Sequence, residues 1–450
     1  MRTKATRPAR SRTPVLITLY AGGGEFCDGY ILSVIGVSLP LLGEQFSLTS
    51  TQSGLIGSAA LVGMFLGGLV FGYVTDRVGR QKIYLFDIAA FIVLSALQFF
   101  ATAPWQLIVL RLLMGVAIGA DFAIASTLVS EFAPKRSRGP LLVMLATMWS
   151  VGAAVAYIVG WLIMSNSDDP GTWRWVLGSS VVPSLLILFL RMGTPESPRW
   201  LLSKGRRDEA RAALRKMLGP DARIEDLAVP ENTPTRYSTI FRPPYRRRTG
   251  FVCLFWACQL LPIYAISTYE PTILASFGLS EGSYLGAAVL QVFFVFGSLS
   301  GALFVNRGRR KLLLASFALS AVSLGGLTII AQPPTALVIA LFVLFGLGMY
   351  SAQCLESLYP SELFPTRVRA TARGFTTGVS RIGAAIGTFG APLLLSANLQ
   401  LAMAVGAGIC LLGLISSYFL APETRGLSLE EASGEAPAAE NQPVQRSTKS

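Results

Sequence analysis

Seven ionisable residues stand inside long apolar runs, and their types bound the chemistry open to the chain. They are Glu25 and Asp28, then Arg111 and Asp121, then Glu270, Glu356 and Arg381. A charge at the middle of a membrane helix costs roughly 2.5–3.5 kcal/mol on insertion scales, so each needs a partner or a task. The sequence contains no histidine. Protonation near neutral pH therefore falls to carboxyl groups in apolar surroundings. Asp87 and Arg191 lie nearer the ends of their runs and read as snorkelling or capping residues. Cys27, Cys253, Cys258, Cys354 and Cys410 all sit in apolar runs without metal-ligand spacing, so core packing is expected for them, with no metal and no cofactor. A His-activated nucleophile is excluded. Gly22-Gly23-Gly24 lacks the Lys-Ser/Thr of a nucleotide loop, so an enzyme is not expected.

The elements that must hold these residues follow from composition. The chain has 450 residues, of which 52% are hydrophobic and 14% charged, less charge than a soluble protein of this size carries. The net charge of +13 would suit nucleic acid were it spread over one face. Instead the basic residues cluster in short loops between apolar stretches, so the expected partner is a lipid bilayer and not nucleic acid. About twelve stretches reach the roughly 20 apolar residues that a membrane helix needs. The loops at 43–52, 165–172, 278–282 and 396–398 hold no Lys or Arg, whereas those between hold several. That alternation predicts a multi-pass protein of the cell (inner) membrane with both termini cytoplasmic. A cleaved signal peptide is not expected, because Glu25 and Asp28 interrupt the first apolar run. The expected architecture is all-α, with twelve transmembrane helices in two six-helix bundles. Residues 1–14 form a basic cytoplasmic N-terminus, 15–192 the first bundle, 193–249 a cytoplasmic loop, 250–420 the second bundle and 421–450 a largely disordered tail. Within the loop, Lys204–Leu218 reads as an amphipathic surface helix.

The two halves are near copies. Gly79-Arg80-Gln81-Lys82 matches Gly308-Arg309-Arg310-Lys311 at an offset of 308 − 79 = 229. Ser130-Glu131 matches Ser361-Glu362 at 361 − 130 = 231, and Pro195-Glu196-Ser197 matches Pro422-Glu423-Thr424 at 422 − 195 = 227. Three matches at nearly one offset imply a parallel internal repeat with a site between its copies. The charged turn from Gly72 to Lys82 reads as a gate. Asp76 would accept hydrogen bonds from Arg side chains or a helix N-terminus, and Gly79 would allow close approach beside Arg80. A two-state latch across the mouth is expected, with Asp76, Arg77, Glu131 and Arg138 on one side and Glu196, Arg307, Glu362 and Arg369 on the other. Solvated, non-interacting charges are the alternative.

These motifs resemble the major facilitator superfamily and, within it, the sugar-porter-like or metabolite:proton symporter branch. The 72–82 loop is similar to its G-x-x-x-D-R-x-G-R-R/K signature. Arg111 with Gly115 and Gly119 resembles its fourth-helix R-x-x-x-G-x-x-x-G pattern. Glu131 to Gly139, Pro195 to Leu201 (with Glu196 and Arg199), Glu362 to Arg369 and Pro422 to Gly426 are similar to sugar-porter signatures. Asp28-Gly29-Tyr30 resembles the first-helix D-G-[FY]-D of proton symporters for organic acids, with Ile31 replacing the second Asp. The resemblance implies alternating access by two rocking bundles, with a small-molecule substrate and protons as partners, and a monomer is expected. It also places Asp28 and Arg111 on facing helices, as a proton-coupling carboxylate and its partner, with Glu25 beside them. A static buried ion pair is the alternative.

The departures bear on substrate. The fifth-helix glutamine of hexose porters falls on Ala146, and their tenth-helix tryptophan on Ser357 beside Glu356. Of their seventh-helix glutamine pair only Gln259 remains. Arg381 is expected to face the substrate and to pair with a carboxylate; an internal salt bridge to Glu356 or Glu270 is the alternative. Trp149, Tyr157, Tyr264, Tyr269 and Tyr350 are candidates for an aromatic wall. The leading expectation is proton-coupled symport of a small polar metabolite, an organic or aromatic acid or a sugar-like polyol. A proton-driven exporter of drugs or secondary metabolites shares the same features. A non-transporting membrane sensor finds no sizeable extramembrane domain outside 193–249.

Overall fold

The computed structural model describes residues 13–132, 138–167, 169–218, 224, 237–279, 282–330, 333–427 and 429–433. The first half runs α1 (Thr13–Phe46), α2 (Ser50–Val78), α3 (Arg80–Phe99), α4 (Pro104–Phe132), α5 (Arg138–Ser165), α6 (Trp173–Gly178) and α7 (Val181–Arg191). Two short helices follow, α8 (Pro198–Ser203) and α9 (Arg207–Leu218). The second half runs α10 (Arg246–Thr268), α11 (Glu270–Ser276), α12 (Ser283–Phe304), α13 (Arg309–Ile329), α14 (Thr335–Ser351), α15 (Leu355–Leu363), α16 (Thr366–Ala397) and α17 (Leu399–Leu420), with a last turn, α18 (Leu429–Ser433). Among the described residues, twelve helical stretches are long and apolar enough to cross a membrane, as composition predicts. The surface helix begins at Arg207 and not at Lys204, because Gly205 takes a φ of +75° and ends the turn before it.

The exposed apolar residues explain which way the bundle faces. Val182, Leu186 and Phe189 on α7, Leu303 on α12, Val322 and Ile329 on α13 and Phe419 on α17 are all more than 60% exposed. A belt of that kind belongs in lipid, since a soluble surface rarely carries so large an apolar patch. Inside, α1 packs on α5 and α2 on α4 in the first half; α10 packs on α16 and α13 on α17 in the second. The halves meet along two lateral seams, α2 against α16 and α5 against α12. Here the end bearing α8 and α9 is termed the basic end and the other the opposite end.

Helix starts recur in the two halves. Gly79 and Gly308 precede α3 and α13 with φ of +110° and +146°, where a side chain would be strained. Neither helix has a side-chain cap at that position. A distant carboxylate supplies it. Glu196 accepts from the backbone N–H groups of Arg80 (3.0 Å) and Gln81 (3.2 Å), and Glu423 accepts from those of Arg309 (3.0 Å) and Arg310 (3.3 Å). Each satisfies orphan donors and opposes the helix dipole. A Cβ on Gly79 would lie 2.5 Å from Glu196 Oε2, whereas one on Gly68 of α2 meets nothing within 4 Å. Gly79→Ala should therefore destabilise the protein by about 1–3 kcal/mol and Gly68→Ala should leave it level or more stable. Thermal unfolding in detergent, with equal melting points for the two variants, would contradict the cap.

Candidate functional site

A hollow lies between the halves, with a volume of about 60 Å³, room for a few waters. Helices α1, α4 and α5 supply Glu25, Phe122, Leu145, Ala146 and Trp149; helices α10, α15 and α16 supply Trp256, Leu260, Ile263, Tyr264, Glu356, Ser357, Arg373 and Arg381, with Gln353 from the turn before α15. Arg373 and Arg381 fall on one face of α16 because they are eight residues apart, a little over two turns. The Arg381 guanidinium stands over the Phe122 ring at 5.1 Å and donates to Tyr264 Oη at 3.4 Å. Trp149 and Tyr264 meet edge to face at 5.9 Å, one ring from each half. Arg373 donates to Ser357 Oγ at 3.5 Å. No carboxylate of the described residues lies within ion-pair distance of Arg381.

Of the expected substrate residues, Arg381, Tyr264, Glu356 and Trp149 thus converge, and Glu25 joins them. Gln259 and Tyr269 do not. Gln259 faces into the second half and donates to Met349 O at 3.1 Å, and Tyr269 donates across the seam to Ser53 O at 3.0 Å. Of the further aromatic candidates, Tyr157 and Tyr350 also stand apart from the hollow, near Ser267. Arg373, Trp256 and Gln353 were not singled out from the sequence. The signal for Arg373 was its spacing from Arg381, hidden in a basic run at the start of α16.

The strongest charge cluster is elsewhere in the first half. Arg191 lies fully buried between α3 and α4, 3.1 Å from Asp87 Oδ1 and 2.8 Å from Asp121 Oδ1. It also donates to Tyr84 O at 3.0 Å and stands over the Tyr84 ring at 3.4 Å. Asp87 and Arg191 are therefore core residues, not snorkelling or capping ones. Position along a helix sets depth in the membrane, but which face a residue occupies sets whether it meets lipid. Gly24 of α1 crosses directly above: a Cβ there would come within 2.1 Å of Asp121 Oδ2.

Asp28 lies one turn further along α1. It is 1% exposed, and neither carboxylate oxygen has a hydrogen-bond partner. The expected contact with Arg111 is absent from this arrangement. Arg111 reaches the Ile31 carbonyl at 3.5 Å, and its Nε and Nη2 atoms are unpartnered. Ile31 is three residues beyond Asp28, roughly 4.5 Å along the helix, which sets the guanidinium about one turn toward the opposite end. Glu25 and Asp28 share a face of α1 at i, i+3, so the unpartnered carboxyl lies one turn from a residue that lines the hollow.

At the basic end each polar contact between described residues named here stays within one half. Glu196, expected opposite Asp76, instead serves the first half as the cap of α3. Arg80 donates to Ser197 Oγ at 3.3 Å. Arg309 and Glu362 pair at 3.2 Å, and Glu362 accepts from Thr424 at 2.5 Å. Arg369 donates to Phe364 O at 3.0 Å. Arg77 and Arg307 stand over the rings of Tyr73 and Phe304 at 4.1 and 4.7 Å, and Arg199 Nε is buried and unpartnered. Gly72 and the side chains of Asp76, Glu131 and Arg138 lie outside what is described. At the opposite end the halves are bonded together, through Tyr157 Oη to Ser267 O and Tyr269 Oη to Ser53 O.

The family model described as "Sugar (and other) transporter" matches residues 16–435. The chain is 39% identical over 414 residues to the inner membrane metabolite transport protein YgcS of Escherichia coli (strain K12), covering 91% of this chain and 92% of that one. It is 31% identical over 391 residues to the gallate transporter of Pseudomonas putida, covering 83% and 84%. Among solved structures it resembles the partially occluded inward open xylose transporter XylE from E. coli, with a TM-score of 0.79 and 21% identity over 93% of this chain and all of that one.

Removing one member of a buried ion network leaves the others uncompensated, at about 3–5 kcal/mol. Arg191→Gln should lose stability on that scale. Arg111→Gln, which gives up one long bond to a carbonyl, should lose far less. Thermal unfolding of both variants in detergent checks the order; a reversed order would sink the assignment of Arg191 as the structural pair.

Proposed function

The chain belongs to the sugar (and other) transporter family, a multi-pass membrane transporter of the major facilitator fold and not an enzyme, and on that premise we propose that it takes up a small organic acid together with protons. The single observation that carries this is the pair of guanidinium groups, Arg373 and Arg381, opening into an aromatic-walled hollow between the two halves. A carboxylate entering there meets Arg381, which among the described residues has no carboxylate within ion-pair distance and contacts Tyr264 and Phe122, and can be gripped bidentately. Trp149, Trp256 and Tyr264 offer flat apolar surfaces to an aromatic or cyclic body. The relation to a gallate transporter agrees with an aromatic acid. A sugar-like polyol is the second reading, favoured by the neutral hydrogen-bonding groups of Gln353 and Ser357 beside Glu356.

In this reading the basic end faces the cytoplasm, because short cytoplasmic loops collect Lys and Arg, and the membrane is the cell (inner) membrane. The bonded opposite end is then external, so the hollow is closed to the outside. Asp28 is the coupling carboxyl. With Arg111 one turn away, Asp28 carries a proton; when Arg111 moves against it, the charged form is favoured and the proton leaves. Because Glu25 stands one turn from Asp28 and lines the hollow, arrival of substrate and occupancy of the proton site act on the same stretch of α1. The latch at the basic end is made within each half, by Glu196 on α3 and by Glu423 and Glu362 on α13, and the halves move as units around it. The working form is a monomer.

Reconstituted into liposomes with an alkaline interior, the protein should accumulate an aromatic acid against its gradient. Asp28→Asn should abolish accumulation while preserving exchange of labelled for unlabelled substrate. Undiminished uphill uptake in that variant would remove Asp28 from the mechanism. Arg381→Ala should lower acid transport at least tenfold and leave any polyol flux untouched; equal loss of both would favour the polyol. A gradient that drives the acid outward would reverse the direction and favour export.

A further inference from the structure

Another buried carboxyl, outside the hollow, lies in the second half, and the pattern of unfilled oxygens around it bears on its protonation. Glu270 opens α11, directly after the break at Tyr269 that separates it from α10. It is 1% exposed, as is Gln291 of α12. Gln291 Nε2 donates to Glu270 Oε2 at 2.7 Å. The same two side chains each leave one oxygen without a partner, Glu270 Oε1 and Gln291 Oε1. Both are acceptors, so as an anion Glu270 cannot relieve either. Leaving two buried acceptors unfilled in an apolar bundle is unfavourable. A single hydrogen placed between them fills both.

We propose that Glu270 is a proton-binding site: its Oε1 carries a proton and donates it to Gln291 Oε1, while Gln291 Nε2 donates to Oε2, closing a ring of two hydrogen bonds between acid and amide. No Lys or Arg among the described residues pairs with Glu270, so no cation is available to hold it as an anion. The titratable groups that face it are phenols, Tyr157 from α5 and Tyr350 from α14. Both phenols are engaged with Ser267: Tyr157 donates to Ser267 O and Tyr350 shares a hydrogen bond with Ser267 Oγ at 3.2 Å. Ser267 lies three residues before Glu270, and Tyr157 belongs to the opposite half. The bond that closes the opposite end therefore lies beside the proton. Separation of the halves there breaks the Tyr157–Ser267 bond and admits water to Glu270, so holding the proton and sealing this end belong together. The site is independent of Asp28 and of the substrate's identity.

Infrared difference spectroscopy of the purified full chain at neutral pH, wild type against Glu270→Gln, tests this without a transport assay. The expected result is the loss of one protonated-acid carbonyl band with the carboxylate bands unchanged. Loss of carboxylate bands with the acid band retained would overturn the proposal. Should Glu270→Gln fail to fold, Gln291→Leu serves: the acid carbonyl band should persist and move to the position of a free, non-hydrogen-bonded acid. An unshifted acid region in that variant would equally overturn it.

Discussion

Lipid solvates neither charge nor bare backbone, and nearly every polar feature of this protein answers to that constraint. Where two helices begin at the basic end without a side-chain cap of their own, a carboxylate more than a hundred residues away fills the place, Glu196 for α3 and Glu423 for α13. Where a guanidinium must be inside, it is sandwiched: Arg191 holds two carboxylates, a carbonyl and a ring at once. Buried atoms are nonetheless left unfilled, Arg191 Nε and Nη2 among them. Asp28, Arg111, Glu270 and Arg381 each keep at least one buried polar atom without a partner. Arg381 borders the hollow and Glu270 a contact between the halves, where an arriving solute or a moving proton can complete them.

The repeat kept the ends and let the middles diverge. Residues 80 and 309 both open a helix behind a glycine of positive φ, and the helical stretches 104–132 and 335–363 keep the same length between their outer limits. At the same offsets, though, Asp87 becomes Ser316, Asp121 becomes Ala352 and Arg191 becomes Tyr418. The first half has a charged core; the second replaces it with hydroxyl-to-backbone bonds such as Ser316 Oγ to Gly348 O at 2.6 Å. The second half instead has the Glu270–Gln291 pair, which has no copy in the first. Two bundles of one ancestry therefore stabilise themselves by different chemistry and offer different groups to the interface.

Much of the fold was legible because a membrane simplifies the code. Length and apolarity alone give the spans, and charge alternation gives their grouping. The site was half legible. Arg381, Tyr264, Glu356 and Trp149 meet as their intramembrane position implied, because polar groups in apolar helices gather inward. Gln259 and Tyr269 lie on the same apolar run but turn away, since α10 stops at Thr268 with Tyr269 outside it, and a run of apolar neighbours carries no phase from which to read direction. Asp87 and Arg191 were misread for the same reason: a sequence reports how deep a residue lies and not which side of its helix looks outward. The sequence expected gate charges to bond across the mouth, whereas Glu196 and Arg369 bind backbone in their own half.

The two lateral seams bear on how a solute can move. Helix α2 lies along α16 and α5 along α12 for much of their length, and Gly54 brings α2 so near α16 that a methyl group there would sit 2.6 Å from the Phe389 carbonyl. Among the described residues, those walls are closely packed at that level. Close packing on both flanks favours travel along the membrane normal over a lateral route for anything that occupies the hollow.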